Sequence, residues 1–131
     1  MSRTSLFATG ALLAAAAVAC SSETPAPEPT VDWSAAEAAA GIPPEPDPTD
    51  WRAYIDALTA IDPEIVHGEE EKAVDRGRNQ CSSVASTPDD DAKLVDLTQQ
   101  RFSSPEHPEG FGPEKSAKIL AAVRKYLCPD Y

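Results

Sequence analysis

The sequence predicts an all-α fold: a small bundle of about four helices with one disulfide, preceded by a signal peptide and a proline-rich disordered tether. Between residue 48 and the C-terminus, apolar residues recur at steps of three and four, the spacing of one buried helical stripe. Several prolines there follow capping residues, as they do where helices begin. No segment alternates with period two for long, and no Asn-Gly or Asp-Gly hairpin turn occurs. We therefore expect helices and no sheet.

Residues 1–19 have the order of features that is typical of a signal peptide. One positive charge at Arg3 precedes an uncharged stretch, Ser5 to Ala19, that consists mostly of Ala, Leu, Phe and Val. A basic start, a short apolar core and small residues before a cleavage site indicate export. The apolar core is too short for a transmembrane helix, which needs about 20 apolar residues.

The run Ala17-Val18-Ala19 directly before Cys20 resembles the lipobox of bacterial lipoproteins. The resemblance implies that the Cys20 sulfur receives a diacylglycerol and that Cys20 becomes the new N-terminus. Two or more acyl chains, such as palmitate, hold a protein firmly on a membrane, whereas one chain binds only marginally. The expected location is the extracytoplasmic face of the cell membrane. The alternative is an ordinary cleaved signal with Cys20 as an incidental residue.

Residues 20–47 are expected to form a tether. Seven prolines fall between Ser21 and Asp50, where acids outnumber bases seven to none. Such a segment buries too little apolar surface to offset its ordering entropy, so disorder or extension is expected. As polyproline II, at about 3.1 Å per residue, the stretch would reach on the order of 90 Å.

The tether contains "SAAEAAAG", residues 34–41, which has the signals of a short helix. Ser34 and Glu37 have the spacing of a capping box, and Gly41 is a natural stop. An isolated helix shorter than about 12 residues is unstable in water. Docking of the neighbouring Trp33 on the folded domain is one alternative, and a free segment is the other.

Residues 48–131 are expected to form the helical domain. The segments "DPTD" (47–50), "DPEI" (62–65), "TPDD" (87–90) and "GPEK" (112–115) each place a capping residue first, then Pro at the first helical position, then an acid in the first turn. The predicted apolar stripes are Trp51, Tyr54, Ile55, Leu58 and Ile61 in the first helix; Val74, Gly77, Cys81 and Val84 in the second (68–85); Leu94, Leu97 and Phe102 in the third (88–102); and Ile119, Leu120, Val123 and Leu127 in the fourth (113–128).

Cys81 and Cys128 are the only cysteines of this domain, and a disulfide between them is expected. Export permits a disulfide, and so small a domain gains from a covalent link. The closed loop should stabilise the fold by about 4 kcal/mol in the chain-entropy model. Two buried thiols or a metal pair are the alternative, although no His or third Cys lies nearby at ligand spacing. Gly77, one turn before Cys81, predicts a close helix crossing that offsets its helix-propensity cost of about 1 kcal/mol.

The signal, the tether, a cysteine in "GRNQC" and a second in "YLCP" together resemble small exported actinobacterial proteins, including those that carry domain of unknown function 732. The resemblance covers roughly residues 51–131. It implies a compact helical domain with one disulfide and no assigned activity. The "SSPEHPEGFG" segment is longer than the turn expected there.

The composition offers little catalytic chemistry. With 22 acids, 11 bases and a net charge of −11, the chain is not expected to bind nucleic acid or to adsorb on anionic lipid. The acidic runs at 69–71 and 89–91 lack EF-hand spacing and coincide with predicted helix starts. His67, expected to end a turn, and His107 have no partner at metal-ligand spacing. We predict no enzyme activity, no catalytic residue, no metal ligand and no cofactor.

The segment "RFSSPEHPEGFG", residues 101–112, leaves two alternatives open. A loop this long in a small domain is often functional. One alternative is a connector whose Phe102 and Phe111 fold back onto the core. The other is a recognition loop, 103–111, with His107 and Phe111 as contacts.

The first functional hypothesis is a membrane-anchored lipoprotein whose helical domain binds another protein of the cell envelope. The second is a carrier or sensor of a small apolar ligand, and the third is an enzyme. A core pocket lined by Trp51, Tyr54 and Leu120 would favour the second hypothesis. A filled core with an exposed apolar patch would favour the first. The sequence leaves the oligomeric state open.

Overall fold

The computed structural model describes residues 26–27 and 29–131, so the predicted signal peptide and Cys20 lie outside the described residues. Within them the fold is helical without strands, as predicted. The helices are α1 (Trp33–Ala39), α2 (Pro48–Ile61), α3 (Glu70–Ser86), α4 (Asp91–Arg101) and α5 (Gly112–Tyr126), with a 3-10 helix, Pro63–Ile65, after α2. The expected number of about four is one too few, because α1 lies in the segment predicted as tether. None of the described helices is long and apolar enough to cross a membrane.

Helix α2 and the 3-10 helix begin as their sequence signals predict. The Asp47 carboxylate accepts hydrogen bonds from the backbone N–H groups of Thr49 and Asp50, at 2.8 and 3.0 Å. The Asp62 carboxylate accepts one from the N–H of Glu64 at 3.0 Å. Each cap thereby satisfies donors that the helix itself leaves without partners.

The start of α4 differs from the prediction, because Asp90 and not Thr87 caps the helix. Asp90 accepts a hydrogen bond from the N–H of Lys93 at 3.0 Å. Thr87 still belongs to the end of α3, where its N–H and its hydroxyl both donate to the carbonyl of Ser83. The predicted stripe of α4 is also partly wrong. Thr98 is fully buried and its hydroxyl donates to the Leu94 carbonyl, whereas Leu97 is only half-buried.

Helix α5 packs against α2, α3 and α4, and α3 likewise contacts α2, α4 and α5. The most deeply buried apolar side chains of the main core cluster include Tyr54, Leu58, Ile65, Val74, Phe102, Ile119 and Val123. A smaller cluster between α3, α4 and α5 consists of Val84, Leu94 and Leu120. The core therefore draws its large side chains from every element between α2 and α5.

Gly77 lies at a close crossing, as predicted. A Cβ at this position would collide with the Tyr54 hydroxyl and with Leu127 Cδ1. Tyr54 is fully buried, and its hydroxyl donates to the Ala73 carbonyl at 3.3 Å. Burial raises the pKa of this phenol well above its usual range. The missing side chain of Gly77 is therefore what lets the tyrosine ring reach α3.

The predicted disulfide between Cys81 and Cys128 is present. Their Cα atoms are 6.0 Å apart, and both residues are buried. The bond joins the middle of α3 to the chain just after α5. It therefore links two elements that also pack against each other in the core.

The compact unit that contains the helices spans Val31–Tyr131, so part of the segment assigned to the tether belongs to it. Arg78 of α3 makes two polar contacts with this segment. Its Nη2 donates to the Glu37 carboxylate at 2.7 Å, and its Nε donates to the Pro43 carbonyl at 2.9 Å. Trp33 does not dock, because it is 72% exposed. Helix α1 is therefore joined to the domain by polar contacts of Arg78 and by the packing of Gly41 on α3, and not by its tryptophan.

Candidate functional site

The predicted recognition loop, 103–111, folds onto its own domain. Phe102 is fully buried and Phe111 is 9% exposed, and both belong to the main core cluster. Two backbone hydrogen bonds close the loop. The Ser104 N–H donates to the His107 carbonyl, and the His107 N–H donates to the Ser104 carbonyl. Phe111 is therefore part of the core rather than an exposed contact residue.

His107 contacts its own loop. Its ring lies against the Phe111 ring, with centroids 4.5 Å apart. Gly110, at φ +86°, packs so closely on Gln99 that a Cβ would collide with the Gln99 carbonyl. The Gln99 amide in turn donates to the Glu109 carbonyl at 3.3 Å. These contacts fit the connector alternative and tie the loop to the end of α4.

His67 lies in the turn before α3, where the sequence placed it. Its Nδ1 is 3.0 Å from the Glu64 carbonyl oxygen, and its Nε2 is 3.0 Å from the Glu69 carboxylate. Both ring nitrogens are thus engaged locally. In the described part of the chain, no three His, Cys, Asp or Glu residues lie close enough together to hold a metal ion.

Trp51, Tyr54 and Leu120 do not line a common cavity. Tyr54 is inside the main core cluster, and Leu120 belongs to the smaller one. Trp51 faces a surface groove together with residues 68–72. The space expected for a small apolar ligand is occupied by the protein's own side chains.

The surface that stands out is the outer face of α5, defined here as Ala117, Lys118, Ala121 and Lys125, all exposed. Four of the eleven Lys and Arg residues of the chain lie in α5, against a single acid, Glu114. The rest of the chain carries the strong negative charge. Helix α5 is therefore a locally positive element of an anionic protein.

Two grooves flank this face and meet at Ala121 and Lys125. The groove toward α4, of about 640 Å³, is lined by Asp91, Val95, Ala117, Leu120, Ala121, Arg124, Lys125 and Pro129. The groove toward α2, of about 330 Å³, is lined by Ala57, Ile61, Lys118, Ala121, Ala122, Lys125 and Tyr126. Both linings are mainly apolar, with positive charges at the edges.

The charges around the grooves differ in how they are held. Arg124 donates to the Asp91 carboxylate at 2.9 Å and to the Pro88 carbonyl at 3.2 Å, so it is fixed beside the α4 groove. Lys118 pairs with Glu114 at 2.9 Å, and both side chains are exposed. The Lys125 ammonium lies 4.7 Å from the Tyr126 ring centre and forms no ion pair within the described residues. Lys125 is therefore available where the two grooves meet.

Sequence reasoning missed this surface because it read α5 only for its buried stripe. The signal was present in the small residues and bases at positions 117, 118, 121 and 125, which fall on one side of a helix. The net charge of the whole chain is strongly negative, and this value concealed the local positive charge of α5. The flanking grooves, by contrast, depend on α2 and α4 and have no signal in the α5 segment itself.

No known protein family, no characterised protein and no solved structure shows significant similarity to this chain. The resemblance to exported actinobacterial proteins therefore stays a prediction from the quoted motifs.

Proposed function

We propose that this protein is a membrane-anchored extracytoplasmic lipoprotein whose helical domain is a protein-interaction module of the cell envelope, and that it binds through the outer face of α5. The observation that carries the proposal is the coincidence of two mainly apolar grooves with the positive ridge between them. Contiguous apolar surface with a polar rim is typical of protein-binding sites.

The partner is a protein segment that combines apolar side chains with acidic ones. Apolar groups would fill the grooves, and carboxylates would face Lys118 and Lys125. Complementary charge speeds encounter and disfavours wrong partners. A second copy bound α5 to α5 would bring these same lysines together and is disfavoured by their repulsion. The partner is therefore a different protein.

A carrier or sensor of a small apolar ligand is less well supported. Small-molecule sites enclose most of their ligand in a concave cavity. Here both grooves are open at the surface, and Tyr54, which was expected to line an internal pocket, is fully buried. The shape suits an extended segment better than a small molecule.

The anchor rests on the lipobox-like sequence before Cys20. The unit that contains the helices begins at Val31, and the eleven residues that follow Cys20, up to Val31, can span at most about 40 Å even at full extension. This is shorter than the reach expected for a fully extended tether. An acylated protein would therefore present α5 to partners close to the membrane.

The anchor is tested by Cys20→Ala. This variant should move from the membrane fraction to the soluble extracytoplasmic fraction, because the acceptor sulfur is gone. Retention on the membrane at the level of the unaltered protein would contradict the lipoprotein proposal. It would leave the interaction surface to be tested separately.

The interaction surface is tested by cross-linking in intact cells, purification through a C-terminal tag and mass spectrometry. Lys118→Glu combined with Lys125→Glu should remove the cross-linked partner. The matched control is Arg52→Glu combined with Lys93→Glu, two exposed cations outside the grooves with the same change in charge. A partner kept by the first pair, or lost equally with both pairs, would contradict binding through α5.

A further inference from the structure

A second surface, away from the α5 grooves, concentrates guanidinium groups. A small pocket of about 240 Å³ lies between α3 and the end of α4 and is lined by Lys72, Asp75, Arg76, Asn79 and Arg101. Three of these five side chains are cations and one is an acid. In a chain with twice as many acids as bases, such a lining is unexpected.

Two of the charged residues that line the pocket, Lys72 and Asp75, form ion pairs with residues outside the lining. Lys72 contacts the Glu69 carboxylate, and Asp75 contacts Arg78 at 3.3 Å. Arg76 and Arg101 form no ion pair with any carboxylate in the described part of the chain. The pocket therefore has two guanidinium groups that no carboxylate contacts directly in the described part of the chain, although Asp75 also lines it.

Arg101 is held in place by neutral groups. Its Nη1 donates to the Gln80 side-chain oxygen at 2.5 Å and to the Ser83 hydroxyl at 3.2 Å. Gln80 is fully buried and donates to the Leu94 carbonyl at 3.2 Å, which fixes its orientation. Partial burial lowers the pKa of Arg101, yet a guanidinium stays protonated at neutral pH. A fixed charge of this kind loses little conformational freedom when it binds an anion.

A purely structural role explains part of this arrangement. Arg101 ends α4, where a positive charge favours the helix dipole, and its bonds join α4 to α3. That structural role needs neither Arg76 nor the pocket that Arg76 and Arg101 line. A guanidinium presents donors in a fork that matches phosphate oxygens, and two forks can share one phosphate group.

We infer that the pocket of Arg76 and Arg101 binds a single phosphate group, free or carried by a small molecule. Arg101 supplies the positioned fork, Arg76 the second charge, and the Asn79 side chain borders the site. This inference is independent of the α5 surface, because the two sites share no residue.

The test is a titration of the purified full chain in an uncharged detergent with inorganic phosphate, at constant ionic strength. The Nε–H signals of Arg76 and Arg101 are followed by NMR. Both should shift along one saturating curve. Arg76→Gln should weaken binding by about tenfold, since one charge-assisted contact is lost. Arg52→Gln, an exposed cation outside the pocket, should leave the affinity unchanged.

Arg101→Lys separates binding from folding, because it keeps a cation next to Gln80 but removes the fork. A folded Arg101→Lys protein with weakened phosphate binding supports the site. Shifts that stay linear with phosphate concentration, meaning an adventitious ion only, would overturn it, as would unchanged affinity in Arg76→Gln. A parallel titration with glycerol 3-phosphate distinguishes the sources: tighter binding assigns the site to a phosphate ester of a small molecule, and equal or weaker binding assigns it to free phosphate.

Discussion

The guanidinium of Arg78 donates to the carboxylate of Glu37, 41 residues earlier in the chain, at 2.7 Å. The Arg78 side chain is 7% exposed and that of Glu37 is 41% exposed, so the pair lies at the edge of the domain. The same guanidinium reaches the Pro43 carbonyl. One side chain of α3 thus holds both α1 and the segment that follows it.

Arg78→Ala should release α1 from the domain. It removes both bonds, and a partly exposed, charge-assisted contact of this kind contributes about 1–3 kcal/mol. Backbone amides of residues 36–42 should then exchange hydrogen faster, while those of α5 stay protected. Asp75→Ala is the control, because it removes only the 3.3 Å contact of Arg78 within α3. Unchanged exchange of α1 in Arg78→Ala would contradict the role given to this residue.

Removal of the Cys81–Cys128 disulfide should destabilise the domain by about 4 kcal/mol, because the closed loop no longer restricts the unfolded chain. That is a large share of a typical stability of about 5–15 kcal/mol. The measurement is urea unfolding of the Cys81→Ala, Cys128→Ala double variant beside the unaltered protein. In the unaltered protein, alkylation after denaturation without reductant should label neither Cys81 nor Cys128. Labelling of both would show that the bond is absent.

Gly77→Ala should destabilise the domain although Ala favours helices by about 1 kcal/mol over Gly. The new methyl group would collide with the Tyr54 hydroxyl and with Leu127, and overpacking of this kind costs about 1–3 kcal/mol. Thermal unfolding followed by circular dichroism measures the change. Asn79→Ala, at an exposed position of the same helix, controls for helix propensity. A higher melting temperature for Gly77→Ala would contradict the close crossing.

Stability should depend on pH through Asp62. The Lys115 ammonium donates to the Asp62 carboxylate at 2.6 Å and lowers the pKa of Asp62. The hydrogen bond from the Glu64 N–H lowers this pKa further, by a smaller amount. Because the folded-state pKa lies below the unfolded value of about 3.9, the stabilisation is present above that value and is lost as the pH falls through the folded pKa. At neutral pH, Asp62→Asn should cost about 1 kcal/mol or less, because this partly exposed ion pair lies at the protein surface.

Urea unfolding of the Asp62→Asn variant and of the unaltered protein between neutral pH and pH 3 tests this linkage. The difference in unfolding free energy should shrink toward the acid end of the series. Asp56→Asn, an exposed carboxylate of α2 without an ion pair in the described residues, serves as the control. A difference that stays constant with pH would exclude a contribution from the Asp62 charge.

The helices and the buried stripe of α5 were predictable from the sequence because their causes are local, and the disulfide was predictable because Cys81 and Cys128 are the only cysteines of the domain. Caps such as Asp47 and apolar steps of three and four act within a few residues. The same local reasoning erred at Thr87, whose hydroxyl has a competing acceptor in the preceding turn of α3. The features that indicate a signal peptide and a lipobox, from Arg3 to Cys20, are likewise local. They stay a prediction.

Only the tertiary structure decided which surface is available for binding. The loop segment that contains His107 and Phe111 looked exposed, yet the Phe111 ring completes a core built from distant helices. The α5 grooves exist because α2 and α4 pack on either side of that helix. The Arg78–Glu37 pair and the two guanidinium groups of Arg76 and Arg101 depend in the same way on contacts between elements far apart in the chain. Sequence periodicity encodes which side of a helix is apolar, but which neighbour covers that side is set by packing of the whole domain.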